Sequence, residues 1–350
     1  VSGVTIADIE VIAPNFKKRL SGVTATVVRL VPVQARDIAI AASGPVIPAH
    51  VPQVPLAALL TMSRIGPEGR PRVWHARRNV EMIGGLALKH LLRKRLKMVF
   101  TSASQRKQSA LTRWLIRRMD AVVATSARTA GYLERPAQVI MHGIDLEEFA
   151  PAPDRTALRA RLGLPDGLLI GCYGRIRAQK GTDAFVEALI PVLRAHSAAY
   201  ALVMGRATEK HRAFEQGLKD RVAAEGLTER LLFLPEVPVE AMADWYRVLD
   251  LYVAPQRWEG FGLTPIEAMA CGVPVIATRV GAFEQIITPG TGALVQADDI
   301  EALSGAVHAA LASDALNQWA QGTRPHVAQH FTIEREAGEL VTLYRSLLGP

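Results

Sequence analysis

"LYVAPQRWEGFGLTPIEAMACGVPVIA" occupies Leu251–Ala277. It opens on an apolar run, Leu251–Ala254, that stops at a proline, and it closes on another, Pro274–Ala277. Between them Pro265–Cys271 has helical character, with proline at the start and glycine just past the end. Strand, loop, helix and strand in this order make a βαβ unit, and such a unit implies a parallel sheet. Ligands of these sheets sit beyond the carboxyl ends of the strands. Glu259 follows the first strand directly and so lies on the ligand side. Gly260 and Gly262 let the backbone approach a ligand closely.

Outward from this unit the alternation repeats. Upstream, strands are expected at Leu168–Tyr173, Ala201–Met204 and Leu231–Leu234, with helices at Asp183–His196, Lys210–Ala224 and Val239–Leu249. "APAPD", Ala150–Asp154, reads as a linker. Before it, strands are expected at Asp8–Ile12, Asp37–Ala41, Val73–His75, Met98–Thr101, Ala121–Ala124 and Gln138–Met141. Helices are expected at Val23–Ala35, Leu56–Ser63, Asn79–Leu92 and Ser109–Met119. The chain therefore reads as α/β, with two Rossmann-like doubly wound domains over residues 1–150 and 151–330. Facing each other, two such sheets would enclose a deep interdomain cleft. The tail, "FTIEREAGELVTLYRSLL" from Phe331, reads as a closing helix that packs back on the first domain.

Bulk properties narrow the class. A chain of 350 residues with 49% apolar and 21% charged residues has the mix of a soluble globular enzyme. No apolar run is long enough to span a bilayer. The start, "VSGVTIADIEVIAP", has neither a basic n-region nor a small-residue cleavage site, which predicts no signal peptide and a cytoplasmic protein. Cys172 and Cys271 fit no metal-ligand spacing and read as reduced core thiols. Residues 1–150 carry 22 Lys and Arg against 10 Asp and Glu, whereas residues 151–350 carry 19 against 23. The basic half is expected to meet something anionic.

The loop after the first strand of the second half, "YGRIRAQKGTDAFVEAL" from Tyr173, places Arg175 and Lys180 between Gly174 and Gly181, just before a helix with Thr182 as expected N-cap. Free N–H groups at a helix start favour anions, and Arg and Lys add a bidentate grip and a mobile point charge. The arrangement suits a phosphate or diphosphate; the competing reading is a solvated cationic loop. Glu259 and Glu267 suit vicinal hydroxyls. Glu267 has a second reading, because Thr264-x-x-Glu267 is a capping box. Two carboxylates with free N–H groups between them would suit a nucleotide sugar.

At this point the residues resemble a known family. Glu259, seven residues and then Glu267 resembles the E-x7-E motif of retaining glycosyltransferases of family 4, which have the GT-B fold. "GRIRAQKG" resembles that family's Gly-Arg-x4-Lys-Gly loop. "MHGIDLEEFAP" resembles its segment before the linker, with His142 where the family usually has Asn, and "GAFEQIITPGTGALV" resembles the stretch after the motif. In the first half, "VIAPNFKKRLSGVTAT", "WHARRNVEM" and "FTSASQRKQSALTRWLIRRMDAVVATS" resemble lipopolysaccharide core mannosyltransferases, which use GDP-mannose.

The resemblance implies roles. Arg175 and Lys180 would hold the diphosphate, Glu259 the donor sugar and Glu267 the ribose. Gly174 and the backbone of Phe261, Gly262, Leu263 and Thr264 would line the donor, and Gly22 would bring its N–H to the diphosphate. Many family members carry a histidine at the place of Ala103, so His75 becomes a candidate. With Arg77, Arg78 and Glu81 it is expected to meet the acceptor. Without an Asp-x-Asp pair, no essential metal and no cofactor beyond the donor is expected. The expected partners are a nucleotide sugar, an anionic glycolipid or glycan acceptor, and an anionic bilayer surface; nucleic acid is not expected. The basic clusters Lys89–Lys97 and Arg106–Arg118 would dock on the inner face of the cytoplasmic membrane, with a solvated cationic face as the competing reading. Trp114, Leu115 and Leu111 would either insert or belong to the core. The alternatives are a UDP-sugar-dependent hexosyltransferase of the same fold, a glycoside hydrolase using both glutamates, and a non-catalytic anion binder.

Overall fold

A computed structural model of the chain describes residues 5–18 and 22–349. The chain forms two compact units. One runs to Gly143 and resumes at Ile333; the other is Ile144–Thr332.

The first unit holds six parallel strands: β1 (Val11–Pro14), β2 (Ile40–Ser43), β3 (Arg72–Ala76), β4 (Leu96–Ser102), β5 (Ala121–Ala124) and β6 (Gln138–Val139), in the order β2-β1-β3-β4-β5-β6. Because strand side chains alternate between faces, Val11 and Ala13 join one core and Ile12 the other. The first core takes Val27, Leu30 and Val31 from the helix Gly22–Gln34. It also takes Ala337, Leu340, Val341 and Tyr344 from the C-terminal helix Ile333–Leu348. The second core gathers Trp74, Met82, Leu86, Met98 and Leu115. Coverage on both faces accounts for the near-continuous apolar strands.

The second unit holds β7 (Leu168–Tyr173), β8 (Ala199–Met204), β9 (Leu231–Leu234), β10 (Leu251–Ala254), β11 (Val275–Thr278) and β12 (Gly292–Val295), in the order β12-β11-β10-β7-β8-β9. All five pairings are parallel. Read from the other edge this is the doubly wound order 3-2-1-4-5-6, whose direction reverses between β7 and β10. In the first unit the reversal falls between β1 and β3. These two gaps are where an open α/β sheet receives a ligand.

The C-terminal helix is tied to the first unit by polar bonds as well as packing. The Glu336 carboxylate accepts from His142 Nδ1 at 2.7 Å and from the Gly143 N–H at 2.8 Å. Burial alone would raise the Glu336 pKa, but His142 and the Gly143 N–H outweigh it and hold the carboxyl below its ordinary value. No described helix is long and apolar enough to cross a membrane.

Candidate active site

In the second unit the two motif loops leave the adjacent strands β7 and β10. β7 ends at Tyr173, and Gly174 anchors the turn by donating to the Met204 carbonyl at 2.9 Å. Arg175 is exposed, while Ile176 is buried and fixes the loop from below. A single 3-10 turn, Ala178–Lys180, leads into Gly181. Gly181 sits at φ +70, and a Cβ there would lie 1.8 Å from the Pro255 carbonyl oxygen. Only glycine lets this loop lie so close to the end of β10. Gly181 is also the N-cap of the helix Thr182–Ala195; Thr182 is its first residue and is buried, a correction to the expected Thr182 cap.

That close approach brings Lys180 onto Glu259. The Lys180 ammonium donates to Glu259 Oε2, and the two side chains are 25% and 18% exposed. Glu259 Oε1 accepts from the Gly260 N–H at 3.0 Å. Gly262 takes φ +94, and a Cβ there would strike the Phe283 ring at 2.2 Å. Phe261 is buried and its carbonyl accepts from Ala282 N–H at 3.1 Å. The Glu259–Leu263 turn is therefore pinned from beneath, with Glu259 on its accessible side.

Arg257 is a brace that sequence reading missed. It forms a bidentate pair with Asp183 at 2.7 and 2.9 Å, bonds Asp298, and takes the Gln179 carbonyl on its own N–H. It thus ties the turn before Glu259 to the start of the helix after Lys180. An Arg-Trp pair beside the motif carries no signal of this kind, because Asp183 lies 74 residues away.

Glu267 also differs from its capping-box reading. The helix is Thr264–Ala270 with Leu263 as N-cap, so Thr264 stands inside the helix rather than at the capping position. Glu267 Oε2 accepts from the Tyr246 hydroxyl at 2.8 Å. Tyr246 packs tilted against Tyr173 and edge-on against Tyr252, ring centroids 5.3 and 5.5 Å away. Burial, then the neighbouring Glu267, raises the Tyr246 pKa, so the hydroxyl stays a proton donor to the carboxylate. Burial likewise pushes the Cys172 and Cys271 thiols up to about 12, which suits inert core thiols.

The first-unit candidates separate into two kinds. His75 is fully buried, with Nδ1 2.6 Å from the Tyr344 hydroxyl and Nε2 2.7 Å from Thr101 Oγ1. Burial, then Arg77, lowers its pKa well below 6.5. Both ring nitrogens are used inside the unit, so the expected contact between His75 and an acceptor is corrected to a structural role. Glu81 is corrected for the same reason: it is fully buried, accepting from the Arg77 N–H at 2.7 Å and from Arg78 Nη1 at 2.7 Å. Arg78 also donates to Asn15 Oδ1 at 2.7 Å and to Thr24 Oγ1 at 3.1 Å, locking the ends of β1 and β3 together. Arg77 is half-buried and lines a small pocket with Thr26, Thr101, His142 and Glu336. Gly22 opens the helix Gly22–Gln34, and among the described residues outside its own turn no atom would lie within 4 Å of a Cβ added there. Residues 19–21 of the quoted "VIAPNFKKRLSGVTAT" lie outside the described residues. Ala103 is exposed. Leu115 belongs to the core, whereas Leu111 and Trp114 are exposed and Arg118 stacks 3.5 Å over the Trp114 ring.

The chain is similar to known proteins in sequence and fold. Residues 167–313 match the family described as "Glycosyl transferases group 1". The chain is 51% identical to the "Lipopolysaccharide core biosynthesis mannosyltransferase LpsB" of Rhizobium meliloti (strain 1021), covering 99% of each chain. It is 50% identical to the "Lipopolysaccharide core biosynthesis mannosyltransferase LpcC" of Rhizobium leguminosarum bv. viciae, covering 98% of each. Among solved structures, its fold is similar to that of Anabaena Alr3699/HepE in complex with UDP, with TM-score 0.83 and 17% identity, covering 97% of this chain and 100% of that one.

Proposed function

Because the chain belongs to the group 1 glycosyltransferases and has the GT-B fold, we propose that it moves mannose from GDP-mannose, with retention, onto a lipopolysaccharide core or another anionic glycan. The full-length similarity to two enzymes with lipopolysaccharide core mannosyltransferase names supports the sugar and the acceptor class. The observation that carries the site is the meeting of Lys180 and Glu259, 79 residues apart in sequence, at the reversal point of the second sheet.

In the proposed reaction the bond between the anomeric carbon and the diphosphate oxygen breaks, and GDP leaves with the electron pair. The acceptor hydroxyl attacks from the same face and its proton passes to the departing phosphate oxygen. Arg175 and Lys180 hold the diphosphate and meet its growing charge. Glu259 accepts hydrogen bonds from the sugar hydroxyls and holds Lys180 beside the diphosphate position. Glu267, held by Tyr246, takes the ribose hydroxyls. Gly22 would supply a further N–H to the phosphate. Arg77 is the remaining acceptor contact among the four expected in the first unit, and Arg78 positions it through Glu81 and Asn15. Two fixed cations supply the counter-charge, so turnover is proposed to need no divalent ion.

The basic clusters of the first unit are proposed to hold the enzyme against an anionic inner membrane surface. Arg106 and Lys107 are exposed, as are Arg117 and Arg118 beside Trp114. Nucleic acid has no part in the proposal.

A thermal-shift screen of GDP-mannose, UDP-glucose and UDP-GlcNAc tests the donor. Stabilisation by GDP-mannose alone is expected. A larger shift with a UDP-sugar would move the proposal to a UDP-dependent hexosyltransferase, and no shift with any of them would overturn it.

A further inference from the structure

The helix Leu56–Thr61 and the end of the helix Asn79–His90 border an open groove on the first unit, with a volume of about 470 Å³. Phe16, Leu56, Leu59, Leu60, Leu88 and Leu91 are among its walls. Leu59 and Leu88 are buried beneath it, but Leu60 is 61% exposed and Leu91 80%. Gly84 makes room for Phe16: a Cβ at Gly84 would meet the Phe16 ring at 2.7 Å. Apolar side chains gathered in one exposed place mark a surface that something covers.

The charge around the groove says what that is. Residues 15–18, 55–66 and 82–97 contain no Asp or Glu. Their exposed Lys and Arg residues are Lys17, Lys18, Arg64, Arg93 and Arg95. Lys17 and Lys18 follow Phe16 at one side, and Arg93 follows Leu91 and Leu92 at the other. The Arg95 N–H donates to the Arg64 carbonyl at 2.7 Å, which brings those two together. A second copy of the chain would set these cations against themselves. A bilayer with anionic headgroups offers both apolar chains and negative charge.

We propose that this groove takes one acyl chain of an anionic phospholipid, and that the cations at its rim meet the headgroups. The inference rests on the membrane contact proposed above and turns a diffuse basic face into a defined site.

Vesicle co-sedimentation tests it, with phosphatidylcholine alone and with phosphatidylcholine mixed with phosphatidylglycerol, no acceptor being present. The wild-type protein should bind the mixed vesicles and not the neutral ones. Leu60→Glu and Leu91→Glu, both at exposed positions, should each weaken binding about tenfold or more. Both variants should keep the wild-type thermal shift with GDP-mannose, which reports folding and the donor site separately. Arg93→Ala should weaken binding less, and more so at low salt. Wild-type binding by both leucine variants would overturn the groove, and so would failure of the wild-type protein to bind the mixed vesicles. A dimer in sedimentation velocity that Leu91→Glu disperses would overturn it too, by assigning the groove to a second copy. In every one of these cases the donor assignment stands or falls by the nucleotide-sugar screen alone.

Discussion

At the scale of single residues, Lys180 has two partners to serve in turn. It sits on Glu259, and it is proposed to turn to the diphosphate when the donor binds. Arg175→Ala and Lys180→Ala should each weaken GDP binding by roughly tenfold to a hundredfold, the loss of a charge-assisted bond of about 1.5–3 kcal/mol. Glu259→Gln should behave differently: GDP affinity should hold, because Lys180 is released, while kcat falls. Isothermal titration with GDP and steady-state rates separate the two, and equal losses in all three variants would contradict the division of roles. His75 gives a pH test. Its folded-state pKa lies below 6.5, so the unfolded chain takes up a proton first as pH falls. The stability that His75 contributes is therefore complete above 6.5 and declines below it. Urea midpoints at about pH 7.5 and about pH 5.5 should show this decline, and His75→Gln should reduce it. The sequence singled out Arg175, Lys180 and Glu259 as candidates because each lies in a loop with its own glycines, and the structure brings Lys180 and Glu259 together. The sequence could not reveal the burial of His75, because the covering Tyr344 arrives from the far end of the chain.

At the scale of elements, apolar runs bounded by turn residues located β5, β7, β9 and β10 to the residue, as Ala121–Ala124, Leu168–Tyr173, Leu231–Leu234 and Leu251–Ala254. β1 lies further on than expected, at Val11–Pro14, because Pro14 still pairs with Ser43 although it has no N–H to give the ladder. The strand Gly292–Val295 and the helix Ala315–His330 escaped the pattern. The first has four residues behind a Pro-Gly turn, and the second carries Gly322 and Pro325 in its own body. What periodicity could not show is how tightly the loop after β7 is held against β10. Gly181→Ala would place a Cβ 1.8 Å from the Pro255 oxygen at a left-handed φ. It should destabilise the protein by more than about 1 kcal/mol and abolish the GDP-dependent thermal shift. A variant with normal melting and normal GDP response would show that this contact does not set the site.

At the scale of the whole molecule, the alternation of strands and helices was enough to read two doubly wound sheets, and the motifs resembled the family to which the chain belongs. The division of the chain was less legible. Its units part after Gly143, earlier than the proline-rich segment at Ala150–Asp154, because Ile144 already bonds to Phe331 of the second unit at 2.8 Å. Metal dependence is a property of the complete enzyme, and excess EDTA is expected to leave mannosyl transfer within about twofold of its untreated rate if, as proposed, Arg175 and Lys180 supply the counter-charge. A rate restored only by added Mg²⁺ or Mn²⁺ would contradict this. The most direct measurement is a crystal structure of the protein with GDP bound. The two phosphates are expected beside Arg175 and Lys180, with the ribose hydroxyls on Glu267. Phosphates bound away from the loop after β7, with Lys180 still seated on Glu259, would contradict it.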